Sequence, residues 1–179
     1  MLAKHAAPRR AHGAANRVRI IGGQYRRRLL DFPDGADLRP TPDRVRETLF
    51  NWLGQDLPGW TCLDLLRGAG RVVMVERDLK AVGALEKNRA LLGADRVDIL
   101  RADALSWLAN NRERFDLVFV DPPFGSGLAG AVLADLVRHL KPGGYAYIEQ
   151  AAEVVAPTGF IIHRSGRAGR SYFALLIKE

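Results

Sequence analysis

The hydrophobic pattern changes character once along the chain, near Pro58 and Gly59. Upstream, Val45, Leu49, Trp52 and Leu53 fall at i, i+4, i+7 and i+8, so they share one helix face while Arg44 and Glu47 point elsewhere. The preceding Thr41-Pro42-Asp43 predicts how this helix starts, with Thr41 as the cap, Pro42 in the first helical position and Asp43 in the first turn. Before it, RVRII and QYRRRLL flank Gly22-Gly23. That pair suits the positive φ of a tight turn and predicts a β-hairpin whose outward side chains are mostly arginines.

Downstream, short β-branched runs alternate with helical ones. Strands are predicted at 61–65, 71–77, 97–101, 115–121, 145–149, 160–163 and 172–177, and helices at 79–92, 104–111 and 128–140. The last helix is closed by Lys141-Pro142-Gly143-Gly144. Continuous apolar strands such as LVFV, interleaved with helices, predict a parallel sheet covered on both faces. The final two strands, joined only by an arginine-rich glycine turn at 164–170, predict an antiparallel hairpin. The fold class is therefore α/β, a mostly parallel seven-stranded sheet with a C-terminal antiparallel hairpin, plus a small N-terminal β-hairpin and helix. Residues 1–16 read as a disordered basic tail, 17–58 as a basic extension and 59–179 as the main domain.

Charge adds a direction to this plan. Residues 1–30 carry eight cations and no acid, so the remaining 19 Lys and Arg face 20 Asp and Glu. A nearly neutral body with a cationic front end suits a partner rich in phosphates, held by counterion release. Arg17, Arg19, Arg26, Arg27 and Arg28 on the hairpin, with Arg39, Arg44 and Arg167, are the candidate phosphate contacts. The single cysteine, Cys62, excludes an internal disulfide and points to a reducing, cytoplasmic setting. No apolar run is long enough to span a membrane, so a soluble protein without a membrane partner is expected.

In an open parallel sheet, ligands gather beyond the carboxyl ends of the strands, where strand order reverses. Asp64, Glu76 and Asp121 each close a predicted strand, and Asp103 follows another, with Ala104 beside it. An acid placed like Glu76 can accept from both hydroxyls of a ribose. Directly after FDLVFV comes Asp121-Pro122-Pro123-Phe124. Two prolines remove two backbone donors and stiffen the loop, which then offers carbonyls and one carboxylate. Such acceptors suit a planar exocyclic amine, and Phe124 gives its base a stacking face worth about 1–3 kcal/mol. His5, His12, His139 and His163 share no ligand-like spacing with one another or with Cys62, so no metal is expected. His139 is expected to finish a helix.

Taken together, RIIGGQYRRRLL, LRPTPDRVRETLFNW, LDL, VVMVERD and DPPF resemble the RsmD-type guanine-N2-methyltransferases of small-subunit ribosomal RNA. The resemblance runs from about Arg17 to Glu149. It implies the Rossmann-like class I methyltransferase fold and S-adenosylmethionine as cofactor. It further implies that Glu76 holds the cofactor ribose, that Asp103 lies near the adenine amine, and that the corner at 121–124 holds the target amine. The partner it implies is 16S ribosomal RNA within an assembling small subunit, met by a monomer. Two other readings stay open: methylation of another amine, such as adenine N6 or a protein glutamine, and a non-catalytic RNA-binding or assembly factor. Glutamine methylation usually goes with Asn in place of Asp121.

One stretch departs from the family pattern. The resemblance implies a glycine-rich loop and a full helix between the first two strands, whereas DLLRGAG passes at once from Gly70 to Arg71. A right-handed parallel crossover normally needs about 10–12 residues. Either these strands are not parallel neighbours, or the cofactor loop is lost, or the chain as given omits a segment. The third alternative best explains the intact pattern downstream. No cofactor contact is therefore placed on Gly68 or Gly70.

Overall fold

A computed structural model describes residues 16–21, 25–33, 41–54, 57, 59–63, 70–121 and 128–179. Strands β1 (Asn16–Arg19) and β2 (Leu29–Phe32) pair antiparallel, with Arg17 opposite Asp31 and Arg19 opposite Leu29. The hairpin differs from its expected form, because Tyr25–Arg27 is turn rather than strand. Arg27 there has φ 72°, and the Arg27 N–H donates to the Ile20 carbonyl at 2.8 Å. Arg26, Arg27 and Arg28 thus crowd the tip of the hairpin. Gly22 and Gly23 lie outside the described residues.

Helix α1 (Asp43–Leu53) buries Val45 and Leu49 as its spacing requires. Its cap is not the expected one: the cap position is Pro42, and no side chain caps the first turn. The Pro42 carbonyl accepts the first helical bonds instead. The Thr41 hydroxyl is engaged elsewhere, at 3.2 Å from Glu149.

The main sheet runs β5-β4-β3-β6-β7-β9-β8, with β3 at Thr61–Leu63, β4 at Arg71–Glu76, β5 at Val97–Arg101, β6 at Phe115–Val120, β7 at Leu140–Gln150, β8 at Phe160–Ala168 and β9 at Ser171–Lys178. The first five are parallel, and β9 is antiparallel to both β7 and β8. Helix α2 (Leu79–Leu92) starts where the Asp78 carboxylate accepts from the Ala81 N–H and ends at Gly93, whose φ of 58° is left-handed. Helices α3 (Ala104–Asn110) and α4 (Leu128–His139) complete the fold.

Both faces of the sheet are covered, as the uninterrupted apolar strands require. Leu108 of α3 and Leu133 and Leu136 of α4 pack with Val118, Val120, Ile148 and Leu176 on one face. On the other, Val45 and Leu49 of α1 and Leu85 of α2 pack with Leu117, Tyr147, Phe173 and Leu175. Residues alternate faces along each strand, so these two lists fix which way every side chain at the rim points.

Two expectations need correction, and one open alternative closes. Leu140 opens β7 instead of ending α4, and residues 141–144 run within the strand as an irregularity opposite Phe115 and Leu117. There Lys141 pairs with Asp116 at 2.7 Å, holding the loop against the sheet. Residues 164–168 belong to β8, so Arg167 sits on a strand opposite Tyr172 and the connecting turn is only Gly169-Arg170. Finally, β3 and β4 are parallel neighbours, with Thr61 opposite Arg71 and Leu63 opposite Val73. That excludes the first explanation of the short crossover. The step from Asp64 to Ala69, on which the other two turn, lies outside the described residues.

Candidate active site at the carboxyl edge of the sheet

From β3 the chain builds outward through β4 to β5, then returns to lay β6 on the opposite side of β3. The order reverses between β3 and β6, which makes their carboxyl ends the expected crevice. Asp121 follows β6 there and is exposed. Asp64, Pro122 and Phe124, the other residues expected at this crevice, lie outside the described residues.

The acids expected to face a nucleoside come together on the neighbouring strands. Glu76 ends β4 opposite Arg101 of β5, and the Ala102 N–H donates to the Glu76 carbonyl at 3.1 Å. One Glu76 carboxylate oxygen, Oε1, accepts from the Asp78 N–H at 2.7 Å, which fixes its orientation at the start of α2. Asp103 caps α3 by accepting from the Ser106 N–H at 2.9 Å. The backbone and hydroxyl of Ser106 hold its carboxyl below the ordinary carboxylate value. Ala104, exposed, is the first residue of that helix.

Two residues at this edge were missed from the sequence. Leu79 is 62% exposed on the first turn of α2 and Leu105 is 39% exposed on the first turn of α3. Each follows a capping acid within two residues, and neither is buried. Nothing in the sequence marked them, because their exposure appears only in the fold.

The α1 face of the rim carries a second missed feature. Leu117 and Phe119 of β6 point to that face, so strand alternation carries Asp121 to it as well. Val120 pairs with Ile148, which sets Asp121 beside Glu149 on β7. Glu149 is 5% exposed, and its carboxylate accepts from Ser171 Oγ at 2.6 Å, Thr41 Oγ1 at 3.2 Å and the Tyr147 hydroxyl at 3.4 Å. Burial, then the Glu149 and Asp121 charges, push the Tyr147 phenol far above its ordinary value, so it remains a neutral donor. Among the described residues, no lysine or arginine pairs with Glu149.

The candidate phosphate contacts fall into two groups. Arg17 and Arg19 on β1 are exposed and line a groove of about 370 Å³ together with Val18, Leu29, Thr41 and Pro42. Arg17 pairs with Asp31 at 2.9 Å, and Arg46 ties this wall to α1 by donating to the carbonyls of Arg19 and Thr41. Arg26, Arg27, Arg28 and Arg44 are exposed nearby in the chain. Arg39 lies outside the described residues. Arg167 stands apart on β8, its guanidinium 4.9 Å from the centre of the Tyr172 ring.

Residues 18–177 match the model of the family described as conserved hypothetical protein 95. The chain is 35% identical to ribosomal RNA small subunit methyltransferase D of Escherichia coli K12, covering 94% of this chain and 93% of that protein. That alignment extends over 189 positions, more than the 179 residues of this chain, so part of the relative has no counterpart here. A solved Escherichia coli structure, yhhF, superposes with a TM-score of 0.81 at 35% identity, covering 92% of this chain and 99% of that one. The fold is also that of the Thermus thermophilus 16S rRNA N2 G1207 methyltransferase, solved with AdoMet and guanosine. The TM-score there is 0.66 at 22% identity, covering 98% of this chain and 53% of that one.

Proposed function

Since the chain belongs to the RsmD family, that of its matching family model, we propose that it transfers a methyl group from S-adenosylmethionine to the exocyclic N2 amine of a guanine in small-subunit ribosomal RNA. The observation that carries the reading is Asp121, exposed at the carboxyl end of β6 beside the reversal of strand order. S-adenosylmethionine, when bound, supplies an electrophilic methyl on a cationic sulfur.

The residues present fit the nucleoside half of that cofactor. Glu76 offers a carboxylate to the ribose hydroxyls, oriented by the Asp78 N–H. Asp103 and Ala104 border the adenine amine, and Leu79 and Leu105 give its ring apolar surface. Asp64 is the remaining candidate cofactor contact.

The amine of guanine is a weak nucleophile because its lone pair is delocalised into the ring. The Asp121 carboxylate and the Pro122 carbonyl accept its two hydrogens, which returns electron density to nitrogen and aims it in line with the methyl. Orientation of this kind is worth about 7–11 kcal/mol. On gaining the methyl that S-adenosylmethionine would supply, the amine would lose one proton, and Asp121 would accept it. Phe124 stacks on the flipped base. The arginines of the hairpin, with Arg39, Arg44 and Arg167, grip phosphates on either side. The protein acts as a monomer in the cytoplasm, on RNA of an assembling subunit. No described helix is long and apolar enough to cross a membrane.

The test is methyl transfer to RNA from cells lacking this protein, followed by mass identification of the modified nucleoside. N2-methylguanine is expected; N6-methyladenine would redirect the reading to another amine.

A second reading is favoured by one observation. β3 and β4 are parallel neighbours joined only by residues 64–70, where a cofactor loop and helix would be expected. If that loop is absent, the protein binds RNA without catalysis. Calorimetry with S-adenosylmethionine separates the two: heat of binding supports the enzyme, and none at millimolar concentration supports the binding factor.

A further inference from the structure

Glu149 is a buried carboxylate that accepts from three hydroxyls, with no cationic partner among the described residues. Withdrawing such a charge from water costs several kcal/mol, and hydroxyls repay only part of it. A neutral amide would tie the same hydroxyls together at lower cost. The charge therefore calls for a reason beyond packing, and its surroundings supply one.

Two of these hydroxyls belong to different arms of the molecule. Thr41 precedes α1, and its carbonyl accepts from Arg46, which also holds the Arg19 carbonyl of β1. The N-terminal cationic wall is thereby tied to Glu149 through three successive hydrogen bonds. Ser171 opens β9 directly after Arg170, and the adjacent Tyr172 carries the Arg167 guanidinium on its ring. The C-terminal cationic arm is tied to the same carboxylate. Tyr147 lies beneath, on β7, where its phenol feels both Glu149 and Asp121. Strand register places Asp121 next to Glu149.

Resting on the proposed methyl transfer, we propose that Glu149 is a positioning residue: its buried carboxylate sets where the two phosphate-gripping arms stand relative to the reacting amine at Asp121. RNA held by both arms then presents its base at one fixed distance from the corner. Misplacement by about 1 Å costs on the order of a hundredfold in rate, so a hub of this kind acts on turnover more than on affinity. Hydrogen bonds to a charged hub are shorter and about twice as strong as those to a neutral amide, so it holds its donors more firmly.

The experiment compares wild type with Glu149→Gln, Thr41→Val and Ser171→Ala. It measures kcat and KM for RNA, RNA affinity by filter binding, S-adenosylmethionine affinity by calorimetry, and Tm. For Glu149→Gln, kcat should fall about tenfold or more, while both affinities stay within about threefold of wild type. Thr41→Val and Ser171→Ala each release one arm and should show smaller losses in kcat of the same kind. Hydrogen exchange should quicken at residues 41–46 and 171–173 in Glu149→Gln but not in β3 or β6. Full activity of Glu149→Gln, or a loss of kcat that merely tracks loss of Tm and of cofactor binding, would overturn the inference. Should Glu149→Gln not fold, the Thr41 and Ser171 variants decide: wild-type kcat in both contradicts the hub. Wild type itself reports on the underlying reading, because an inactive wild-type enzyme would sink the methyl transfer, while altered exchange in Glu149→Gln would still show the hub.

Discussion

The side-chain amide of Asn88 on α2 grips the backbone of Asp31 on β2 from both sides, accepting from its N–H at 3.2 Å and donating to its carbonyl at 2.7 Å. In effect it acts as a short extra strand on the edge of the hairpin. Together with the Tyr25 hydroxyl on the Gly93 carbonyl, it docks the arginine-bearing hairpin on the main domain. Exposed neutral hydrogen bonds are worth about 0.5–1.5 kcal/mol each.

Asn88→Ala should therefore free the hairpin without unfolding the sheet. Trypsin should cleave at Arg26–Arg28 several-fold faster than in wild type, and Tm should move little. Unchanged cleavage would mean that Tyr25 and the Arg19–Asp43 ion pair, 3.7 Å across to α1, suffice.

Gly166 on β8 lies opposite Phe173 on β9, and a Cβ added there would meet the Phe173 ring at 2.6 Å. That ring also packs against Trp52 of α1, 5.5 Å between centroids. Gly166→Val should push Phe173 off its neighbours and cost about 1–3 kcal/mol in urea unfolding, with α1 loosened first. A stability equal to wild type would show that the ring can turn aside.

Cys62 is fully buried in the middle of β3. Burial first, then the Asp116 charge, push its thiol from 9.0 up to about 12. The native state thus holds this proton more tightly than the unfolded state. The stability it contributes is present in full below pH 9 and drains away as pH rises toward 12. At pH 8 native protein should resist alkylation, with labelling that follows the unfolding curve in urea. Rapid labelling without denaturant would contradict the placement.

The expected strand-and-helix alternation matches the sheet because continuous apolar strands such as FDLVFV have only one way to be buried on both faces. α2 begins and ends where expected, and the structure shows Asp78 and Gly93 capping its two ends. The misses have physical causes. Thr41 looked like a cap, but the buried Glu149 carboxylate competes for its hydroxyl, and no local pattern reveals a partner 108 residues away. Lys141-Pro142-Gly143-Gly144 read as a break, whereas Lys141 finds Asp116 and keeps the segment in the strand. In the candidate site, the strand-ending acids were visible from their positions. Leu79, Leu105 and Glu149 were not, because exposure and burial are properties of the folded neighbourhood.

The most direct test is transfer of labelled methyl from S-adenosylmethionine to small-subunit RNA, comparing wild type with Asp121→Ala. Wild type should produce N2-methylguanine at one site, and Asp121→Ala should lose about a hundredfold or more in kcat while still binding RNA. Methylation by Asp121→Ala at the wild-type rate, or no methylation by wild type despite bound cofactor, would contradict the account.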